Sequence, residues 1–199
     1  MPFFDRARSR LPRPVRTLVD WLLTIAVAIG VVLVFEAEVA KPYRVPSASM
    51  EPTLHCARPA TGCLASTSDR VIVNRLAYRF GGPKRGQIVV FHSPPAAAKR
   101  CGQRGDFVKR LIGLPGDVVS ERNGSVFVDG KPLHEPYVVP AERDSLTATW
   151  PVVPRGRYFF MGDNRAVSCD SRRFGTVARS ALVGPVLLTY WPPGRFSLR

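Results

Sequence analysis

The sequence predicts a mainly β protein behind a single membrane-spanning helix. Three observations carry that prediction. A long apolar run lies near the N-terminus, short β-type runs punctuated by glycine and proline fill the chain from Asp69 onward, and no helical period of useful length follows the apolar run. A length of 199 residues with an apolar share of 45% allows one generous domain plus an appendage. The net charge of +14 predicts attraction to polyanions, anionic lipid and nucleic acid alike.

The helix comes first. Residues 21–35 read "WLLTIAVAIGVVLVF", softened only by Thr24 and Gly30. Counted from Leu18 the run spans roughly 27 Å as a helix, close to a hydrocarbon core when Asp20 and Glu36 sit at the interfaces. It lacks the polar stripe of a soluble surface helix, which leaves a buried soluble helix as the alternative. Upstream, Arg6, Arg8, Arg10, Arg13 and Arg16 stand against Asp5 alone. By the positive-inside rule, residues 1–17 form a basic cytoplasmic tail, 18–36 the transmembrane helix, and 37–199 an extracytoplasmic domain. A cleaved secretory signal shares the basic start. However, "EAEVAKPY" puts Glu38 at position −3 of a cut after Ala40, where a small residue is required, so an uncleaved anchor fits better.

The four cysteines, Cys56, Cys63, Cys101 and Cys169, all follow the span, in keeping with an oxidising exterior. Cys56 and Cys63 bracket "ARPATG", a loop that a local disulfide closes easily; a metal site with His55 is the rival, weakened by the lack of a second close pair. Pairing of Cys101 with Cys169 stays open.

The strand candidates follow in order. "RVIVNRLAYRF" reads as a strand, "GGPKRG" as a turn and "QIVVFHSPP" as the next strand. "DFVKRLIGLPGD" is a further strand ending in a tight turn. "SVFVDGKPL" carries the Asp-Gly signature of a hairpin, with Val126 and Val128 alternating against Phe127. "RYFFMGDN" and "ALVGPVLLTYWPP" complete the set. Residues 118–156, holding the hairpin and a looser segment, read as an inserted subdomain.

Three segments could carry chemistry. "RVPSASMEPTLHC" sets Ser47 and Ser49 between Pro46 and Pro52, where a stiffened turn can present a nucleophile, although a serine in a proline-rich loop is usually a turn residue. In "GDFVKRLIG", strand alternation puts Lys109 on one face with Phe107 and Leu111. Burial there disfavours the ammonium and suits the lysine to act as a general base; the plainer reading is a lysine reaching the strand edge. "MGDNRAVSCDSRRFG" crowds Asp163, Asn164, Arg165, Ser168, Asp170, Ser171 and Arg172 together, either as a polar network against a site or as a solvated loop. A Ser-His-Asp arrangement of Ser49, His55 and Asp163 or Asp170 is a further alternative. His92 and His134 have no partner motif.

Together these segments resemble the bacterial type I signal peptidases, membrane-bound Ser-Lys proteases. The likeness lies in four blocks in the family's order: "PSASMEPTL", then "SDRVIVNRLAYRF" with "GQIVVF", then "FVKRLIGLPGD", then "GDNRAVSCDSR". The resemblance implies an antiparallel β-sheet catalytic domain with a smaller inserted β subdomain. It implies Ser49 as nucleophile, Lys109 as general base, and the Ser47 hydroxyl with the Ser49 backbone N–H as the oxyanion hole. Ser168 would orient the lysine, and Asp170 and Arg172 would form a supporting ion pair. Tyr43, Val45, Leu54, Phe107 and Val108 would line shallow pockets for small residues at −1 and −3 of the substrate. No metal or organic cofactor is implied. Ala166 and Val167 depart from the family's polar residues after "GDNR", and Cys169 directly follows Ser168.

The implied substrates are the signal peptides of exported preproteins. Membrane lipid and transient contact with secretion machinery are the other expected partners. An enzyme anchored beside such substrates gains effective concentration, which accounts for a serine-bearing turn so soon after the apolar run. Other Ser-Lys proteases, the SOS-type repressors, would carry a helix-turn-helix where this chain has its span. An anchored β-domain that binds partners or anionic lipid without catalysis is the non-enzymatic alternative. Nucleic acid is not an expected partner, because the basic residues are scattered and the domain lies outside.

Overall fold

A computed structural model describes residues 12–199. Arg6, Arg8 and Arg10 of the basic tail lie outside the described residues. The N-terminal helix α1 (Arg13–Glu38) is exposed from Trp21 to Leu33, and its segment Pro14–Leu33, with a mean hydropathy of 1.9, is long and apolar enough to cross a membrane. It forms a unit of its own, ending at Val39.

The second unit, Ala40–Arg199, is built on antiparallel pairing. Strands β1 (Ala40–Arg44) and β2 (Arg70–Asn74) pair along their whole length. The strand expected to continue from β2 stops at Asn74, whose side-chain oxygen accepts from the N–H groups of Leu76 and Ala77. Those bonds turn the chain into a single helical turn, α2 (Ala77–Phe80). After β3 (Ile88–His92) the short helix α3 (Pro95–Cys101) begins on proline and ends at Gly102 in the left-handed region, a stop no other residue accepts so easily. Seven residues are too few for the 3.6 period to have shown it.

β4 (Asp106–Gly113) then pairs with β3 and, from Arg110 on, with β9 (Arg157–Met161). Between them, β5 (Val119–Arg122), β6 (Ser125–Val128), β7 (Lys131–Pro132) and β8 (Ala148–Thr149) make a four-stranded sheet in the order β7-β6-β5-β8. Both of its tight hairpins run through left-handed pairs: Asp129 and Gly130, as the Asp-Gly signature predicts, and Asn123 and Gly124 in "RNGS", an equivalent signal the sequence reading passed over. The helical turn α4 (Ser171–Phe174), β10 (Val177–Ala178), β11 (Leu182–Trp191) and β12 (Ser197–Leu198) complete the chain. The larger sheet runs β1-β2-β11-β3-β4-β9-β10, with β12 added on β11, and forms a half-barrel.

Three larger apolar clusters hold this unit together, beside a small fourth of Ala48, Cys56 and Cys63. Phe91, Phe107, Phe160 and Phe174 centre the first, with Phe91 and Phe160 stacked at 4.6 Å. Val45, Met50 and Leu54 close the second beneath β2 and β3. The third joins the two sheets, since Ile112, Phe159 and Met161 of the larger one pack on Val119, Val126 and Val128 of the smaller. The inserted β segment therefore shares a core with its host.

Candidate active site

The sheet order leaves β1 at an edge, and the first half of β4 has no partner on its β9 side, because that pairing starts only at Arg110. Between these two strands lies a cleft of about 290 Å³. Tyr43, Val45 and Ser47 line it from one side and Phe107, Val108 and Lys109 from the other. Leu54 does not line the cleft; it is fully buried in the cluster below, where it supports Val45 and Met50.

Directly after β1 the chain makes one 3₁₀ turn, Ala48–Met50, buried throughout. Met50 in the core and Pro46 and Pro52 on either side fix that turn, so the Ser49 hydroxyl has little freedom. Lys109 Nζ donates to Ser49 Oγ at 2.6 Å and to the Val108 carbonyl at 3.1 Å. Ser47 Oγ lies 3.3 Å from Ser49 Oγ. Alternation along β4 puts Lys109 on the face of Phe107 and Leu111, where it is 5% exposed. Burial is the main cause that lowers its pKa to about 8, against opposing pulls from the Asp170 and Asp163 carboxylates. At pH 7 roughly one such amine in ten is neutral, against about 0.04% for a free lysine.

Behind the lysine the loop from Gly162 to Arg172 is an almost fully buried polar network. Arg172 clasps Asp170 through Nε and Nη2, both at 2.9 Å, and Asp170 also accepts from the Gly162 N–H at 3.0 Å. Burial alone would raise the Asp170 pKa, but Arg172 and that N–H hold it below the ordinary carboxylate value. Arg110, the neighbour of Lys109, bonds Asp163 with two nitrogens and stacks on the Tyr137 ring at 3.8 Å. Arg165 bonds the Gly162 carbonyl and the carboxylate of Glu135. The Asn164 N–H reaches the Ser49 carbonyl at 3.2 Å, tying this loop to the serine turn. Ala166 and Val167 leave no gap in the network, because Ala166 gives its N–H to the Glu142 carbonyl and Val167 points outward, 60% exposed. Ser168 is buried, and its hydroxyl helps to hold the Asp170 pKa low.

Gly162 is where these parts meet. A Cβ there would fall 2.2 Å from Ser168 Oγ and 2.4 Å from the Ser49 carbonyl oxygen. Sequence reasoning passed over this glycine, although its place between the apolar "YFF" and the charged "DNR" marks a backbone position under close approach. It also missed Arg110 and Glu135, whose roles depend on partners distant in sequence.

The histidines assemble no triad. His55 Nδ1 faces Glu51 at 2.5 Å, and the buried Glu51 also accepts the N–H groups of Cys56 and Leu64. His92 pairs with Asp106 at 2.6 Å. Cys56 is bonded to Cys63, closing the loop after the serine turn, and Cys101 to Cys169, joining the end of α3 to the Ser168 loop. Among the described residues no three His, Cys, Asp or Glu side chains gather as metal ligands would.

The site sets a buried serine turn against a buried strand amine at the edge of an open β-cleft. Residues 18–191 match the family described as signal peptidase, peptidase S26. The signal peptidase IB of Staphylococcus aureus is 34% identical over 197 aligned residues, covering 91% of this chain and 93% of its own. Signal peptidase I of Mycobacterium tuberculosis is also 34% identical, over 96% of this chain and 79% of its own. A crystal structure of a signal peptidase I from Enterococcus faecalis shares 33% identity over 53% of this chain and 97% of its own, with a TM-score of 0.44. The chain belongs to the signal peptidase family, peptidase S26.

Proposed function

We propose that this chain cleaves signal peptides from exported preproteins, with Ser49 as nucleophile and Lys109 as general base. The 2.6 Å contact between Lys109 Nζ and Ser49 Oγ, made inside an apolar surround, carries the reading. A preprotein segment enters the cleft as an added strand, using the open edges of β1 and of β4 before Arg110 for main-chain hydrogen bonds. Tyr43, Val45, Phe107 and Val108 line that cleft and would receive the side chains at −1 and −3, where alanine-like residues are expected.

Neutral Lys109 takes the proton of Ser49 as Oγ attacks the carbonyl carbon of residue −1. The resulting oxyanion receives hydrogen bonds from the Ser47 hydroxyl and the Ser49 N–H. Collapse expels the new N-terminal amine, which takes its proton from Lys109, and leaves an ester on Ser49. Lys109 then deprotonates a water that hydrolyses the ester. Ser168, a buried hydroxyl beside Gly162, steadies the amine between these steps. The basic N-terminal tail stays cytoplasmic, α1 crosses the membrane and the β unit works outside, where its two disulfides persist and where contact with lipid and secretion machinery would fall.

The experiment is cleavage of a purified preprotein with an Ala-X-Ala site by the full chain in detergent. Wild type is expected to cut after the −1 alanine. Lys109→Ala is expected to lose about 10²–10⁴-fold and Ser49→Ala to lose at least as much, while His55→Ala retains most activity. A Lys109→Ala enzyme that cuts at the wild-type rate would sink the base assignment, and a wild type that never cuts would favour an anchored binding domain.

A further inference from the structure

Arg172, at the end of the buried polar loop, faces more carboxylates than it can serve. Its Nε and Nη2 clasp Asp170, Nη2 also donates to the Arg165 carbonyl at 2.8 Å, and Nη1 donates to Asp144. A third carboxylate, Glu121 of β5, stands 3.8 Å from Nη1, beyond hydrogen-bond distance. Glu121 is fully buried, whereas the Asp144 side chain is 22% exposed. Within the smaller sheet Glu121 lies opposite Val126 of β6 and Ala148 of β8, so neither neighbouring strand brings it a charge. The charges that act on it are those of Arg172, Asp144 and Arg165, and Arg165 already has a counter-ion in Glu135.

One guanidinium cannot stabilise three anions in a buried site, and the group left without a donor keeps its proton instead. Asp170 is not that group, because Arg172 and the Gly162 N–H support its charged form. Asp144 has Arg172, the Leu146 N–H at 3.0 Å and an opening to solvent. Glu121 has none of these; burial first, and then Asp144 beside it, raises its titration from the ordinary 4.5 to about 7. A protonated carboxyl is a donor, and Asp144 is the acceptor next to it. We propose that Glu121 and Asp144 share one proton, and that this proton lets the smaller sheet hold Arg172 on Asp170, making Glu121 a positioning residue for the loop that carries Gly162 and Ser168. The positioning role rests on the cleavage reading above; the shared proton does not. Loss of the proton sets a second anion against Asp144 and pulls Arg172 away from Asp170. The folded chain binds more protons than the unfolded one between the two titration points, so this contribution to stability falls as pH rises through them.

Infrared spectroscopy of the full chain in detergent reads the proton directly. Between about pH 6 and about pH 8.5 the wild type is expected to lose a protonated-carboxyl band that Glu121→Gln never shows. The glutamine keeps a donor toward Asp144 but cannot titrate. Urea unfolding over the same range is expected to shift the folding equilibrium in favour of Glu121→Gln over wild type by about tenfold, ~1.4 kcal/mol. Asp144→Asn, at a partly exposed site, removes the charge beside the proton, and the band is expected to disappear at lower pH than in the wild type. A band that Asp144→Asn leaves unmoved would trace the proton to burial alone and overturn the sharing. Parallel pH dependence in wild type and Glu121→Gln would overturn the proton itself. For the positioning role, Glu121→Ala is expected to lower kcat at neutral pH with little change in KM, and Glu121→Gln to recover it. A folded Glu121→Ala enzyme with wild-type kcat would overturn that role, whereas a wild type that never cuts would remove the cleavage reading and leave the infrared result standing.

Discussion

As the proposed base, Lys109 would have to be buried, able to lose its charge and within reach of Ser49 at once, and each demand has a separate cause. Its place on β4 buries it, burial brings its pKa to about 8, and the fixed 3₁₀ turn brings the hydroxyl to 2.6 Å. Since only the neutral amine can accept the serine proton, kcat/KM is expected to rise with pH and level off above about 8. A pH profile that is flat from 6 to about 9, or that rises only near the pKa of free lysine at ~10.4, would contradict this. Gly162 gives the second prediction at this scale. Both atoms that a Cβ would strike belong to the site, and one is a backbone carbonyl that cannot swing aside. Gly162→Ala is expected to cost about 1–3 kcal/mol of stability and to lower activity at temperatures where the variant is still folded. Denaturant unfolding and cleavage assays on the same preparation check both.

Among the elements, the segment of the smaller sheet reaches back to brace the loop from Gly162 to Arg172. Glu135, in the segment after β7, pairs with Arg165, and both are buried. Glu121 of β5 and Asp144 converge on Arg172 from the same side. Burial of Glu121, against the pull of Arg172 and with Asp144 beside it, raises its pKa to about 7. Removing one partner of a buried pair leaves the other as an uncompensated charge, which costs more than the pair itself contributes. Glu135→Ala is therefore expected to destabilise the protein by about 3–5 kcal/mol and to reduce kcat more than it changes KM, because Arg165 supports the Gly162 carbonyl and not the substrate cleft. Thermal unfolding with steady-state kinetics tests this; an unchanged kcat in the folded variant would separate the smaller sheet from the site.

For the molecule as a whole, the two disulfides differ in what they enclose. Cys56–Cys63 closes a local loop, whereas Cys101–Cys169 spans 68 residues, from the end of α3 across β4, the smaller sheet and β9 to the catalytic loop. The larger loop restricts the unfolded chain more. Cys101→Ser with Cys169→Ser is expected to lower stability by about 2–4 kcal/mol, and reduction of the wild type should lower the melting temperature to match. A double variant as stable as wild type would show that the packing of α3 on α4 suffices.

The apolar helix, the mainly β character and the hairpin at Asp129 were legible in the sequence because each is a local pattern: a run, an alternation, a turn dipeptide. Alternation also put Lys109 on a face with Phe107 and Leu111, but left open whether it is buried or reaches the strand edge, because both faces of β4 are buried from Lys109 on. The four motif blocks pointed to the family because they recur in a fixed order. What lay beyond the sequence depends on contacts between distant segments. The site exists only because β4 runs alongside the turn after β1, a juxtaposition set by the sheet order. Arg110 finds Asp163, and Arg165 finds Glu135, across separations of 53 and 30 residues. The second pair requires the smaller sheet to fold onto the larger. Leu54 went to the core instead of the cleft floor because Val45 and Met50 needed cover from below. The sequence by itself determined which residues could be buried and which could turn the chain. Tertiary structure alone decided which of them meet, because a hydrogen bond over a few ångströms is specified by the whole path of the backbone between its ends.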